Sequence, residues 1–367
     1  MVFPTNYQEI ISQIDNIDPI AYGRTRNYLD GAVTKLSPYI SRGIISTKQI
    51  AETVLSKGNH PTQIEKFLKE LAWRDYFQQV WVANGNGIDL DLKQPQPNVT
   101  NKQIPLCIFN ASTGIETIDK GIEELKNTGY MHNHMRMYVA GITCSLAKSH
   151  WYMPAKWMYF YLLDADWASN ALSWQWVAGS FSNKRYIANQ ENINKYCHGD
   201  QRGTFLDIPY ENFENISTPD ILKNFCDFKL KAKLPTPNGL LVNPNIPTYL
   251  YNFYNLDCKW DSQINANRIL LLEPSFFIKY PVCSQTFSFI LDLAKNIPNI
   301  QVYVGEFTSL QSTLGPSQIV YKEHPTANHY TGTQHKREWM FEDVTGYFPS
   351  FFNYWKKCEK YLKPNWK

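Results

Sequence analysis

Apolar residues return every three or four positions over much of the chain from residue 5 to about 200. The clearest runs are Ile45 to Leu55, Ile64 to Trp81, Ile115 to Leu125, Met135 to Leu146 and Trp157 to Leu163. That spacing buries one face of a helix. Start signals agree, with Ser46-Thr47 before one run and Thr113-Gly114 before another. Gly85 to Pro105 is polar and proline-bearing, which predicts a surface loop. After Gly203 the periodicity fades, and Pro209, Pro219, Pro235, Pro237, Pro244 and Pro247 mark a linker wrapped on the surface. Arg268 to Pro274, Gln301 to Gly305 and Ile319 to Tyr321 then read as buried strands around an amphipathic helix, Ser284 to Lys295, giving a small parallel sheet. A last helix runs from Phe351 to Leu362. The expected organisation is mainly α: a helical domain over 1–204, a linker over 205–262, and a small α/β unit with a C-terminal helix over 263–367.

Composition narrows the class. The chain has 367 residues, 43% hydrophobic and 15% aromatic, enough for more than one core. A net charge of +3 permits nucleic-acid binding through a local patch without indicating it. Seven scattered cysteines with no C-x-x-C pair argue against a zinc site and a secreted disulfide framework. There is no leader-like segment and no run of apolar residues of membrane-spanning length, so the expected protein is soluble, cytoplasmic and monomeric, with no bound metal. Neither a G-x-G-x-x-G fingerprint nor a G-x-x-x-x-G-K phosphate loop occurs.

The chemistry concentrates in Leu163-Asp164-Ala165-Asp166-Trp167-Ala168-Ser169-Asn170-Ala171-Leu172-Ser173-Trp174-Gln175-Trp176. On a helix, Asp166, Asn170 and Trp174 recur every four residues and share a face suited to a conjugated ligand. A core helix with a few satisfied caps fits the same pattern. Three further blocks decide between the two: YGRTRNYLDGAVTKLSPY from Tyr22 to Tyr39, ELAWRDY from Glu70 to Tyr76, and Thr113 to Met137, closing with TGYMHNHMRM. In this order the blocks resemble the FAD-binding domain of the photolyase and cryptochrome family. The likeness covers roughly residues 20 to 200, and the antenna domain that usually precedes the flavin domain has no counterpart at the N-terminus.

The resemblance implies an all-helical photolyase-type domain that binds FAD. Tyr22, Val33, Thr34, Leu36 and Ser37 match phosphate and ribityl contacts, with Val33 where a threonine is common. Arg74 and Arg136 are the matching cations, Asp164 and Asp166 bond the flavin or clamp Arg136, and Asn170 faces flavin N5. Glu70, Trp73, Asn133 and Met137 match the lesion pocket of enzymes that act on cyclobutane pyrimidine dimers. Relatives acting on (6-4) products carry histidines at the last two positions, although His132 and His134 stand beside them here. Some relatives hold an iron–sulfur cluster on four cysteines, but Cys197 has no close companions.

Trp174 and Trp151 match two members of the family's three-tryptophan electron relay, while the outermost falls on Ile108. Trp157, Tyr152 or Tyr159 are the candidate replacements. Arg26, Lys184 and Arg185 match DNA contacts, with His134 and Lys195 as weaker candidates. The implied activity is light-driven electron transfer from reduced FAD to a flipped cyclobutane dimer in UV-damaged DNA, the reaction of a deoxyribodipyrimidine photolyase. A cryptochrome-like photoreceptor and a light-inactive flavin- or DNA-binding protein are the alternatives.

Overall fold

The computed structural model describes residues 3–182, 184–214, 216–236, 239–315 and 317–362. Asn183, in the expected DNA-contacting loop, and Pro237, in the expected linker, lie outside the described residues. Compactness groups the chain into two units interleaved in sequence: Ala21–Val33 with Asn86–Leu230, and Met1–Ile20 with Thr34–Gly85 and Lys231–Lys367. These groupings do not coincide with cuts after 204 and 262.

The first of these units is helical. Glu116–Thr128 buries Ile118, Ile122 and Leu125, the stripe its periodicity marks. Asn133–Gly141 runs on through a π turn, Ile142–Leu146. Tyr152–Tyr161 stops before the acidic stretch, and Trp167–Ala178 begins after it. Gly129 and Gly179 end two of these helices at φ 72° and 83°, in the left-handed region that glycine enters without Cβ strain. A short antiparallel pair joins β1, Ile104–Pro105, to β2, Phe225–Cys226.

The other unit contains the helices Thr47–Ser56 and Glu65–Asn84 and a five-stranded, wholly parallel sheet. Its strands are β3 (Thr248–Tyr251), β4 (Asn267–Leu272), β5 (Gln301–Val304), β6 (Ile319–Lys322) and β7 (Thr333–His335), ordered β5-β4-β3-β6-β7. The chain therefore starts at the centre, builds one way, then crosses over and builds the other way, a doubly wound order. On one face, Leu250, Ile269, Leu271, Ile319 and Tyr321 pack with Phe307, Leu310 and Leu314 of the following helix.

Two strands escape the sequence reading. β3 lies inside the expected linker, and all four of its residues are buried. It is too short to show a period, and Pro247 immediately before it reads as a loop, although proline is tolerated at a strand's start. β7 is a largely exposed edge strand with no apolar signal. Helices make up the larger share of the fold, roughly as expected, and the five-stranded parallel sheet makes it mixed α/β, not all-helical.

Candidate functional site

The acidic stretch is a helix entry. Asp166 caps the Trp167–Ala178 helix, its Oδ1 accepting from Ser169 N at 2.9 Å, while Asp164 sits just outside the helix. Arg136 donates from Nη1 to Asp164 Oδ2 at 3.0 Å and from Nε to the Met131 carbonyl at 2.9 Å. The clamp between the two distant sequence blocks therefore forms, with the Asp164 side chain nearly buried at 7% exposure. Such a pair is costly to break, because a lone carboxylate would be left in a poorly solvated place.

Asn170 is buried, and its Nδ2 donates to the Ala155 carbonyl at 2.8 Å. Only the amide nitrogen can face a carbonyl, so the Asn170 oxygen is left as the acceptor end. On the same helix, Trp174 Nε1 and Ser169 Oγ are buried with no hydrogen-bond partner among the described residues. Buried polar atoms ordinarily have partners. One acceptor and two such atoms on one helix fit a bound heteroaromatic ring with its own donors and acceptors.

On the Asn133–Gly141 helix, Asn133 is exposed and Met137 half-buried one turn on, with Nδ2 to Sδ at 4.0 Å. The neighbouring histidines are engaged in structure. His132 is buried and caps the helix, its Nδ1 accepting from His134 N at 3.2 Å. His134 Nδ1 bonds the Asn27 carbonyl at 2.8 Å, and its ring lies against Tyr138 and Tyr196. Burial lowers the His134 pKa, which favours the neutral ring.

The first block is divided, Tyr22, Arg26 and Val33 belonging to the helical unit and Thr34, Leu36 and Ser37 to the other. The Val33 N–H donates to the Gly31 carbonyl at 2.7 Å, so a tight turn already uses it. Thr34 Oγ1 accepts from Leu36 N at 3.5 Å, and Ser37 opens a five-residue helix with Pro38 in its first turn. Lys184 and Arg185 are exposed on the loop after Ala178, Lys195 is exposed on the helix Gln190–Cys197, and Arg26 is half-buried.

Glu70, Trp73 and Arg74 share the Glu65–Asn84 helix. Glu70 is half-buried. Arg74 Nη1 donates to Ser41 Oγ at 2.9 Å. Trp73 is stacked on Phe351, with ring centroids 3.8 Å apart and planes 9° from parallel. One indole face is therefore covered by the C-terminal helix Phe351–Leu362. What holds this region together is Asp75, which the sequence does not single out: it is buried, accepting from Thr47 Oγ1 at 2.8 Å and from Met340 N at 2.7 Å. Its desolvation pushes the carboxyl pKa up to about 6. The only sequence signal was an acid in an otherwise apolar turn. Also missed were Asp89 and Asp91, which sit in the polar loop and bond the indoles of Trp167 and Trp151.

Among the described residues, no three His, Cys, Asp or Glu side chains group as metal ligands, and no helix is long and apolar enough to cross a membrane.

Residues 67–226 match the family described as the FAD binding domain of DNA photolyase. A deoxyribodipyrimidine photo-lyase of Alkalihalophilus pseudofirmus is 32% identical over 177 residues, 47% of this chain and 37% of that protein. A cryptochrome DASH of Danio rerio is 29% identical over 198 residues, 50% of this chain and 37% of its own length. The chain thus spans little more than a third of these relatives. Among solved structures, a class III photolyase from Agrobacterium tumefaciens is 25% identical with a TM-score of 0.46, covering 52% of this chain and 42% of that one. The family match and the relatives make the segment 67–226, which holds the Arg136–Asp164 clamp, similar to the FAD-binding domain of photolyases and cryptochromes.

Proposed function

We propose that the protein repairs cyclobutane pyrimidine dimers in DNA by light-driven electron transfer. When bound, FAD supplies the photochemistry and the electron. Arg136 would hold Asp164 in place, Asp164 and Asp166 would meet the cofactor's donors, and the Asn170 oxygen would face the flavin ring. Tyr22, Thr34, Leu36, Ser37 and Arg74 would serve the phosphates and ribityl chain, with Val33 contributing shape, since its N–H is already used. Glu70 and Trp73 on their helix, and Asn133 and Met137 on theirs, would be the candidates to contact the flipped lesion. Arg26, Lys184 and Arg185 would bond DNA phosphates, which position the duplex without reading its sequence.

The observation that carries this reading is the Asn133–Met137 face. It presents an amide and a thioether, while both adjacent histidines are committed to a helix cap and a backbone carbonyl. A (6-4) reaction assisted by an acid histidine is thereby disfavoured. The test is illumination of the reduced protein with oligonucleotides carrying either a cyclobutane thymine dimer or a (6-4) product, followed by separation of the strands. Restoration of the first alone is expected; equal restoration of both would overturn the lesion assignment.

One observation favours a second reading, a photoreceptor or light-inactive flavoprotein. Phe351 lies on the indole face of Trp73, the ring offered to the lesion. No restoration of either oligonucleotide, in protein that holds FAD, would select it.

A further inference from the structure

Two fully buried indoles of the helical unit end on carboxylates. Trp151 Nε1 donates to Asp91 Oδ1 at 2.7 Å, and Trp167 Nε1 donates to Asp89 Oδ1 at 2.8 Å. A neutral carbonyl would satisfy a buried indole. A carboxylate is a stronger acceptor and brings charge. Asp91 is held firmly: Oδ2 accepts from Gln96 N at 2.9 Å, Oδ1 lies 3.3 Å from His150 Nε2, and Gln96 Oε1 in turn accepts from Trp151 N at 2.8 Å. The rings form a cluster. Trp151 and Trp167 are 6.4 Å apart, and Tyr152, half-buried, meets both edge-on at 5.5 and 6.0 Å. Ile108 is fully buried and aliphatic, and Trp157, also fully buried, has its ring contact with Tyr161.

We propose that Trp151 and Asp91 form a proton-coupled electron donor, with Tyr152 as the ring that links it to the surface. The proposal rests on the FAD-dependent, light-driven reading. Loss of one electron makes the indole a cation, whose N–H is far more acidic than that of neutral indole. The adjacent carboxylate stabilises the positive charge and is placed to take the proton. One electron leaves Trp151 for oxidised FAD under light, the Nε1–H bond breaks, and the proton passes to Asp91 Oδ1. An electron from an external thiol, entering through Tyr152, and return of the proton to Nε1 restore the pair. Proton loss removes the charge that would draw the electron back. Trp167 and Asp89 repeat the arrangement next door.

The test has two arms on the flavin-loaded protein. In the first, a flash-generated ruthenium(III) tris-bipyridine complex replaces excited flavin as the oxidant, and transient absorption follows the part of the tryptophan signal that Trp151→Phe abolishes. That part should pass from the cation band to the neutral-radical band, more slowly in deuterium oxide. Asp91→Asn should prolong the cation by about tenfold or more, and Asp91→Glu should restore its decay. Under light with thiol, photoreduction should slow in Asp91→Asn and in Tyr152→Phe. Unchanged cation decay in Asp91→Asn would overturn the proposal. If that variant does not fold, the native protein decides: no deuterium effect on the Trp151 signal would overturn it equally. A native protein that shows the ruthenium-driven signature but no photoreduction would sink the light-driven reading and with it the donor role.

Discussion

Asn133 and Trp73 are marked by the same kind of sequence signature, and their surroundings differ. On the Asn133–Gly141 helix, the exposed Asn133 and half-buried Met137 end beside each other, and the polar groups around them are tied to caps and backbone. On the Glu65–Asn84 helix, Trp73 lies under Phe351 at 3.8 Å, and Tyr76 packs against both Phe351 and Tyr354. The first face is available to a ligand. The second is, on one side of its indole, already occupied by the chain itself. Large rings bury much apolar area, so a tryptophan suited to stacking on a base is equally suited to stacking on a phenylalanine. A signature specifies which chemistry can occur at a position. The tertiary partner decides whether that chemistry is free to occur.

Three changes would break or sharpen the contrast. The largest effect is expected at the Arg136–Asp164 clamp, whose arginine shares the helix of Asn133 and Met137. Arg136→Leu takes the cation from a carboxylate with 7% exposure, which should cost about 4 kcal/mol of stability and empty the flavin site. Thermal denaturation and the visible absorption of the purified variant measure the two consequences. Full retention of flavin would place the cofactor's anchor elsewhere.

At the covered face, Phe351→Ala removes a buried ring and should cost about 3 kcal/mol by denaturant titration. If Trp73 is the lesion platform, the same variant should bind a dimer-containing oligonucleotide more tightly than the native protein does. Reduced stability with unchanged affinity would leave the stack as simple packing and would weaken the repair reading.

The smallest effect should come from Asp75, which ties the backbone at Met340 to the Trp73 helix. Its pKa of about 6 lies above the ordinary 3.8, so the folded state holds that proton more tightly than the unfolded chain does. The stabilisation is therefore complete below the unfolded value and is lost as pH rises through the folded one, by up to roughly 3 kcal/mol. Asp75→Asn, whose oxygen can accept from Met340 N while its amide faces Thr47, should flatten that part of the profile. Parallel pH profiles of urea midpoints for the two proteins would show that burial of Asp75 is not what couples this region to pH.

The sequence by itself determined the helices whose apolar stripes run for several turns, the cap at Ser46 and the likeness of residues 67–226 to a flavin-binding domain. These are local or strongly periodic features, decided by which residues stand three or four apart. The resemblance left Asp164 and Asp166 either to bond the flavin or to clamp Arg136, and the fold gives the clamp to Asp164. What only the tertiary structure decided depends on partners distant in sequence. β3 is a strand because neighbours on both sides satisfy its backbone, Asp75 is buried because Met340 N and Thr47 Oγ1 reach it, and Asp91 meets Trp151 across 60 residues. Phe351 covers Trp73 across a still longer stretch of chain. A buried polar or aromatic group takes its role from the atoms that complete its shell, and when those atoms come from far along the chain no local pattern announces them.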